Sequence, residues 1–416
     1  MMKSRKRTSH HREQHGSPSL TEVFGADYRF HFDPAHLAPI KRVALFAETF
    51  FPRYDGVAQH SYRTLRYLQQ TGREVLIFAP DNAPTRIENS RVIPLSSVGV
   101  PRYSGLRAGL PSPEIARQLA HFKPDLIQLF SPAIMSLRAI SFGHKRRIPT
   151  LANYETNLSQ YMPYYGLPWL KGAARGWQRM IHNRCDLTLV PTLAVQEQLQ
   201  QARFQRLACW ACGVNEQRFN PNHRTDEWRN RLLNGRPAES LLCIYVGRLA
   251  AEKNIMALLD IARMQGVALT IIGDGPQQAA LEKMFSGTGT QFMGRLLGDD
   301  LAHAYASADV FTFPSHTETF GLVTLEAMAS GLPVVVSDQG GARNFVVDGV
   351  AGYLCHSQQA FNAAVEQLRD NAHLRAQMGQ QARRAAEGHC FSAIMAQLED
   401  HYRQVLNKRR SASNDS

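Results

Sequence analysis

Ser315-His316-Thr317-Glu318-Thr319-Phe320-Gly321-Leu322-Val323-Thr324-Leu325-Glu326-Ala327-Met328-Ala329-Ser330-Gly331-Leu332-Pro333-Val334-Val335 carries the strongest structural signal in the chain. The run before it, residues 309–313, is apolar and rich in aromatic and branched side chains, and Pro314 closes it; this predicts a short buried strand. Residues 321–328 predict a helix. Glu318 then falls on the strand-to-helix loop and Glu326 inside the helix, two carboxylates eight positions apart around a Phe-Gly step. A loop of this kind presents backbone N–H groups at a helix N-terminus, where a phosphate or a sugar hydroxyl can be held.

Outward from that stretch, strand and helix signals alternate in two series. The first has strands predicted at 43–47, 75–79, 126–130, 150–152 and 187–190, with a helix at 58–70 ended by Gly72. The second has strands at 241–246, 269–272, 309–313 and 334–336, separated by helix-length segments. Such alternation implies parallel sheets covered on both faces, hence an α/β fold of two doubly wound, Rossmann-like domains facing a central cleft. Residues 1–40 read as a basic, partly disordered extension, 41–214 as the first domain and 215–240 as a polar linker. Residues 241–390 read as the second domain and 391–416 as a C-terminal helix and tail. Ligands of such sheets bind at the carboxyl ends of the strands, so the interdomain cleft is the expected site.

The charge is uneven. Residues 1–215 hold 28 Lys and Arg against 14 Asp and Glu, a net of +14; the remainder hold 19 against 21, a net of −2. A basic first half can attract an anionic membrane surface, acidic substrates or nucleic acid. Aromatics do not interleave with the basic residues as a nucleic-acid groove requires, so nucleic acid is not an expected partner. No apolar run approaches the roughly 20 residues that span a bilayer. Residues 1–16 are basic and His-rich without an apolar core, unlike a signal peptide. The six cysteines are scattered in apolar contexts, which suggests reduced thiols and a cytoplasmic setting. Cys209-Trp210-Ala211-Cys212 is a lone pair without the partners that a zinc site needs, and reads as ordinary packing.

Four further segments are candidates for chemistry. Tyr245-Val246-Gly247-Arg248-Leu249-Ala250-Ala251-Glu252-Lys253-Asn254 leaves the first strand of the second series, so Arg248 and Lys253 emerge at its carboxyl end. Two cations on one loop suit a diphosphate, whose charge must be held and whose departure must be stabilised; a solvated basic turn is the alternative. Ile271-Ile272-Gly273-Asp274-Gly275-Pro276 is a strand and a tight turn, equally a structural turn and a phosphate-facing one. Asp55-Gly56-Val57 leads into the first helix, where glycine allows close backbone approach. Glu326 accepts hydrogen bonds only, when ionised, which suits a vicinal diol; by itself it is also a common solvated helix residue.

Together these segments resemble the retaining glycosyltransferases of family 4, which have the GT-B fold, in particular glycolipid-type mannosyl, glucosyl and sulfoquinovosyl transferases. Residues 318–326 match the family's Glu-x7-Glu signature, and Gly247-Arg248 with Glu252-Lys253 match its Gly-Arg…Glu-Lys motif. The resemblance runs over residues 41–406, more specific in the second domain than in the first. It implies an acceptor-binding first domain, a nucleotide-sugar-binding second domain and a last helix that crosses back. It makes Arg248 and Lys253 the grip on the donor diphosphate, with Gly56 approaching from the other side and Gly273 and Leu296 bordering the nucleotide and its base. Glu318 would contact the donor sugar, Glu326 the ribose diol, and Phe320, Gly321 and Leu322 would offer N–H groups. In Asn153-Tyr154-Glu155-Thr156-Asn157, relatives acting on lipids often carry His where Glu155 stands, and that His touches the donor sugar. Glu155 can bond a sugar hydroxyl, favour another donor, or lie on the surface.

The resemblance implies a hexosyl transfer from an NDP-sugar to a hydroxyl on a lipid-linked or saccharide acceptor, with the sugar nucleotide as co-substrate and no cofactor. No Asp-x-Asp occurs, so no metal is expected. Expected partners are the donor, the acceptor and an anionic membrane surface, with peripheral attachment to the inner face of the membrane. The competing readings are a catalytically silent scaffold of the same fold and a sugar-nucleotide epimerase.

Overall fold

The computed structural model describes residues 28–48, 50, 56–99, 107–162, 167–316 and 321–414. Two parallel sheets organise them. The first contains β1 (Arg42–Ala47), β2 (Glu74–Pro80), β3 (Arg86–Ile87), β4 (Ser90–Leu95), β7 (Leu126–Phe130), β8 (Thr150–Asn153), β9 (Leu187–Val190) and β10 (Leu207–Cys209). Their order is β10-β9-β8-β7-β1-β2-β4-β3, parallel except for β3 against β4. Between β4 and β7, β5 (Ser97–Gly99) and β6 (Arg107–Gly109) form an antiparallel pair of their own. The second sheet contains β11 (Leu241–Val246), β12 (Val267–Ile272), β13 (Gln291–Phe292), β14 (Val310–Phe313), β15 (Val334–Ser337) and β16 (Gly352–Cys355), in the order β13-β12-β11-β14-β15-β16. The two doubly wound domains expected from the sequence are therefore present.

Both faces of the first sheet are covered, which is why its strands read as continuous apolar runs. In β1, Val43, Leu45 and Ala47 enter one core, and Ala44 and Phe46 the opposite one. Phe46 stacks on Phe78 of β2 at 4.3 Å. The helix Phe391–Asn414 returns from the second domain and inserts Ile394, Met395, Leu398, Tyr402 and Val405 into the first core. Buried polar bonds fix it there. Trp210 Nε1 donates to the Ile394 carbonyl at 2.8 Å, and Tyr402 donates to Gln128 of β7 at 2.6 Å. Arg73 and Glu399 pair in two bonds of 2.8 Å.

Two boundaries differ from the sequence reading. Residues 28–40 are not a loose extension: Tyr28, Phe30, Ala38 and Ile40 are buried in the first core. Their short apolar spacing carries no period, and only the crossing helix supplies their partners. Residues 215–240 are not a free linker. Phe219, Leu232 and Leu233 are buried in the second core, the latter two from the helix Asp226–Leu233, which Thr225 caps through the Trp228 N–H. The polar outer face of that helix hid its narrow apolar side.

Candidate functional site

In each sheet the strand order reverses beside the first strand of its series, between β1 and β7 and between β11 and β14. The loops after those strands form the crevice where doubly wound sheets bind ligands. The candidate residues emerge there. Arg248 and Lys253 follow β11, Gly273 follows β12, and Leu296 follows β13; Gly321, Leu322 and Glu326 follow β14. Gly56 follows β1 and Glu155 follows β8. Glu318 and Phe320 lie outside the described residues.

The loops of the second sheet are laced together. Gly247 N–H donates to Ile272 O at 3.0 Å, Leu249 N–H to Asp274 O at 2.7 Å, and Gly273 N–H to Gly294 O at 2.8 Å. Gly273 has φ +142, and a Cβ there would stand 1.9 Å from the Gly247 carbonyl oxygen. The glycine is thus demanded by the protein's own packing, which favours the structural-turn reading of this loop. On that base Arg248 projects outward; its nearest ionic partner among the described residues is Glu252, at 4.0 Å. Lys253 closes the short turn Ala251–Lys253 and is half-buried. Leu296 is half-buried against the second core.

The helix Leu322–Ala329 begins at Gly321, whose φ of +71 and close approach to Ala342, 2.7 Å from the Cα to an added Cβ, exclude other residues without strain. The N–H groups of Thr324 and Leu325 turn back to the Gly321 carbonyl. Among the described residues no side chain caps the first turn of this helix. Glu326 is not a solvated helix residue. It is half-buried, and Tyr305 donates its hydroxyl to Oε2 at 3.4 Å as well as to Val323 O at 3.2 Å. Burial pushes its carboxyl up to about 7, against the opposing pull of Arg63, the Tyr305 hydroxyl and Arg218. Arg63 belongs to the first domain, on the helix Gly56–Gln70, and its guanidinium lies 4.4 Å over the Phe391 ring. The two domains therefore meet electrostatically at Glu326.

Across the crevice, Gly56 opens the helix Gly56–Gln70, and a Cβ there would meet nothing within 4 Å. Residues 51–55, the loop before it, lie outside the described residues. Glu155 is not on the surface: it is buried, with Oε1 2.5 Å from His60 Nδ1. Cys212 Sγ lies 3.8 Å from the same nitrogen, and the His60 ring stacks on Trp210 at 4.3 Å. Burial works against a charged imidazole, but Cys212 and Glu155 outweigh it and raise His60 to about 10. Glu155 and His60 thus form a buried ion pair under the first-domain wall of the crevice. At the switch point itself, Glu48 accepts from the Ala133 N–H at 2.8 Å and the Ser136 hydroxyl at 3.0 Å; burial nevertheless raises it to about 7.

His60, Arg63, Tyr305 and Glu48 were not found by sequence reasoning. His60 and Arg63 stand four and seven positions after Gly56 on one helix. That spacing places them on the side of the helix that starts at the crevice, but a polar pair at helical spacing more often marks a solvated face. All six cysteines are free thiols.

Comparison with known proteins agrees with this arrangement. Residues 226–385 match the family described as glycosyl transferases group 1, and residues 54–218 match glycosyltransferase family 4. A GDP-mannose-dependent alpha-mannosyltransferase of Mycobacterium tuberculosis is 34% identical over 375 residues, covering 88% of this chain and 98% of that protein. A sulfoquinovosyl transferase of Arabidopsis thaliana is 38% identical over 332 residues, 77% of this chain; the match spans 65% of that relative, just under two thirds. Among solved structures, sucrose-phosphate synthase from Thermosynechococcus elongatus superposes with a TM-score of 0.72 at 21% identity, covering 88% of this chain and all of that one. Anabaena HepE in complex with UDP-glucose superposes with a TM-score of 0.68 at 17% identity, covering 88% and 99%.

Proposed function

The chain belongs to glycosyltransferase family 4, and from that premise we propose that it transfers a hexosyl group from an NDP-sugar, with retention and without a metal, to a hydroxyl of a lipid-linked acceptor. The observation that carries this reading is the second-sheet edge, where Arg248 and Lys253 emerge beside the N-terminus of the helix that holds Glu326. Arg248 and Lys253 grip the diphosphate and neutralise it as it leaves, the work a bridging cation does elsewhere. Glu326, steadied by Tyr305, accepts from the ribose diol. The chain contains no Asp-x-Asp to hold a metal–diphosphate. Retention follows the family motif, with attack on the face that the leaving phosphate vacates. Nucleotide diphosphate release from a panel of UDP-, GDP- and ADP-sugars tests the proposal. Turnover of one donor is expected, unchanged by excess EDTA. Release of none removes the transfer reading in favour of a silent scaffold; activity lost in EDTA and restored by Mg²⁺ or Mn²⁺ removes metal independence alone.

The raised carboxyl of Glu326 gives this site a pH signature. As an acceptor for the diol it must be ionised, and its pKa stands at about 7. Donor KM should therefore rise as the pH falls through about 7. A Glu326→Gln variant should start from a higher KM and lose that dependence. A parallel slope in both would place the titration elsewhere.

The lipid-linked acceptor is supported by the first domain's surface. Trp169 is 75% exposed and Trp177 37% exposed, flanking the exposed Lys171 and Arg175 on the helix Lys171–His182. Exposed indoles beside cations suit a lipid–water boundary, where each basic residue contributes about 1 kcal/mol that salt screens. No described helix is long and apolar enough to cross a membrane, so attachment would be peripheral. Co-sedimentation with anionic vesicles should rise with anionic lipid and fall with salt. Replacing Trp169 and Lys171 together should weaken it several-fold. No association at low salt would remove the membrane surface and leave a soluble saccharide as the acceptor.

A further inference from the structure

We infer that His316 is a positioning residue that staples three adjacent strand ends of the second domain, β11, β14 and β15, and so sets the diphosphate-gripping turn against the main chain leaving β14. The inference rests on the donor-site reading above. His316 stands just beyond β14, after Pro314 and the buried Ser315. Its Nδ1 lies 2.7 Å from the hydroxyl of Ser337, the last residue of β15, which is 2% exposed. On its other side, Nε2 lies 3.4 Å from Asn254 Nδ2, immediately after Lys253.

The bonding sense is set by the neighbours. Asn254 Nδ2 also faces the Pro314 carbonyl at 3.5 Å, which turns the amide nitrogen, a donor, toward both groups. Nε2 of His316 must then accept, so Nδ1 carries the proton and donates to Ser337 Oγ. Ser337 Oγ accepts in addition from the Gln339 N–H at 3.1 Å, which keeps it in place for the ring. Asn254 itself holds a left-handed conformation, φ +51, at the end of the turn Ala251–Lys253, and its N–H returns to Ala251 O at 3.3 Å. The Asn254 bonds are long; the Ser337 bond is the firm one. A left-handed Asn that ends the Lys253 turn is thereby tied through one imidazole to the two neighbouring strands. Strand ends that are only paired by their ladders can still let their loops drift, and a drift of about 1 Å at a reacting group costs on the order of 100-fold in rate.

The two ring nitrogens, not bulk, are the working part, so the test compares variants that keep one bond with a variant that keeps neither. His316→Ala and Ser337→Ala should each lower kcat for the sugar nucleotide that wild type turns over by about tenfold, with donor KM changed less and the thermal midpoint unchanged. The double variant should be no worse than either single one, because both remove the same bond. His316→Asn, which can still donate to Ser337 but has no atom to meet Asn254, should recover only part of the loss, its kcat falling between those of wild type and His316→Ala. In the ligand-free chain, amide hydrogen exchange should quicken at residues 311–316 and 250–256 in His316→Ala, and at 250–256 alone in His316→Asn. Unchanged exchange and turnover in His316→Ala, or wild-type exchange at 250–256 in His316→Asn, would overturn the inference. A wild type that releases no nucleotide diphosphate from any donor overturns the donor reading instead, and the exchange measurement still decides whether His316 couples the two loops.

Discussion

Replacing Arg248 or Lys253 with alanine should lower kcat/KM for the donor by about two orders of magnitude. Both side chains leave β11 at its carboxyl end, on a loop whose backbone is locked to its neighbours by the bonds at Gly247, Leu249 and Gly273. The rigid base matters, because charges held in place before the reaction stabilise a leaving diphosphate without reorganising. Arg248 has no ionic partner nearer than Glu252 at 4.0 Å among the described residues, so its removal leaves no buried countercharge behind. The Arg248 variant should accordingly unfold at the wild-type temperature. The measurement is steady-state nucleotide release, with a melt as the control. Near-wild-type turnover in both variants would dismiss the grip on the diphosphate.

The second large effect is on stability. Arg73 and Glu399 face each other with side chains only 3% and 1% exposed. Glu399 Oε2 also accepts from the Ala38 N–H at 2.7 Å, so one carboxylate ties β2's entry, the segment before β1 and the crossing helix. Glu399→Ala strands a buried guanidinium and an unpaired backbone N–H. Breaking such a pair costs about 3–5 kcal/mol, which lowers a melting midpoint by on the order of 10 °C in domains of this size. Replacing Arg73→Met and Glu399→Leu together should recover much of the loss, since the desolvation cost disappears with the charges. A Glu399→Ala melt within about 2 °C of wild type would mean that the crossing helix is held by its apolar contacts alone.

The crossing helix illustrates what was legible in the sequence. Its amphipathic period was plain, as were the apolar runs of β1, β7, β9 and β11, because strands buried on both faces carry their burial in composition. The motif residues Arg248 and Lys253 were legible for a related reason: a short spacing after a strand fixes which end of the sheet they leave from. Segments whose partners are distant were not. β4 opens with two polar residues and contains Pro94, and β16 begins with a glycine; neither reads as a strand until its neighbour in the sheet is known. Residues 28–40 acquire a core only when the C-terminal helix is laid over them.

Two doubly wound domains, the strand end from which Arg248 and Lys253 emerge, and the family to which the chain belongs were all legible in the order of residues along the chain. These follow from local periodicity and from residues close together in the chain. The folded chain was needed to reveal that Glu155 is sealed against His60, 95 positions away in sequence. It alone decided that Glu326 is half-buried beneath Tyr305 and within the field of Arg63 from the other domain. It alone placed His316 between Asn254 and Ser337. The physical reason is common to all three. A polar side chain's protonation and role are set by what desolvates it and what faces it, and those neighbours come from strands and helices that only the folded sheets bring together.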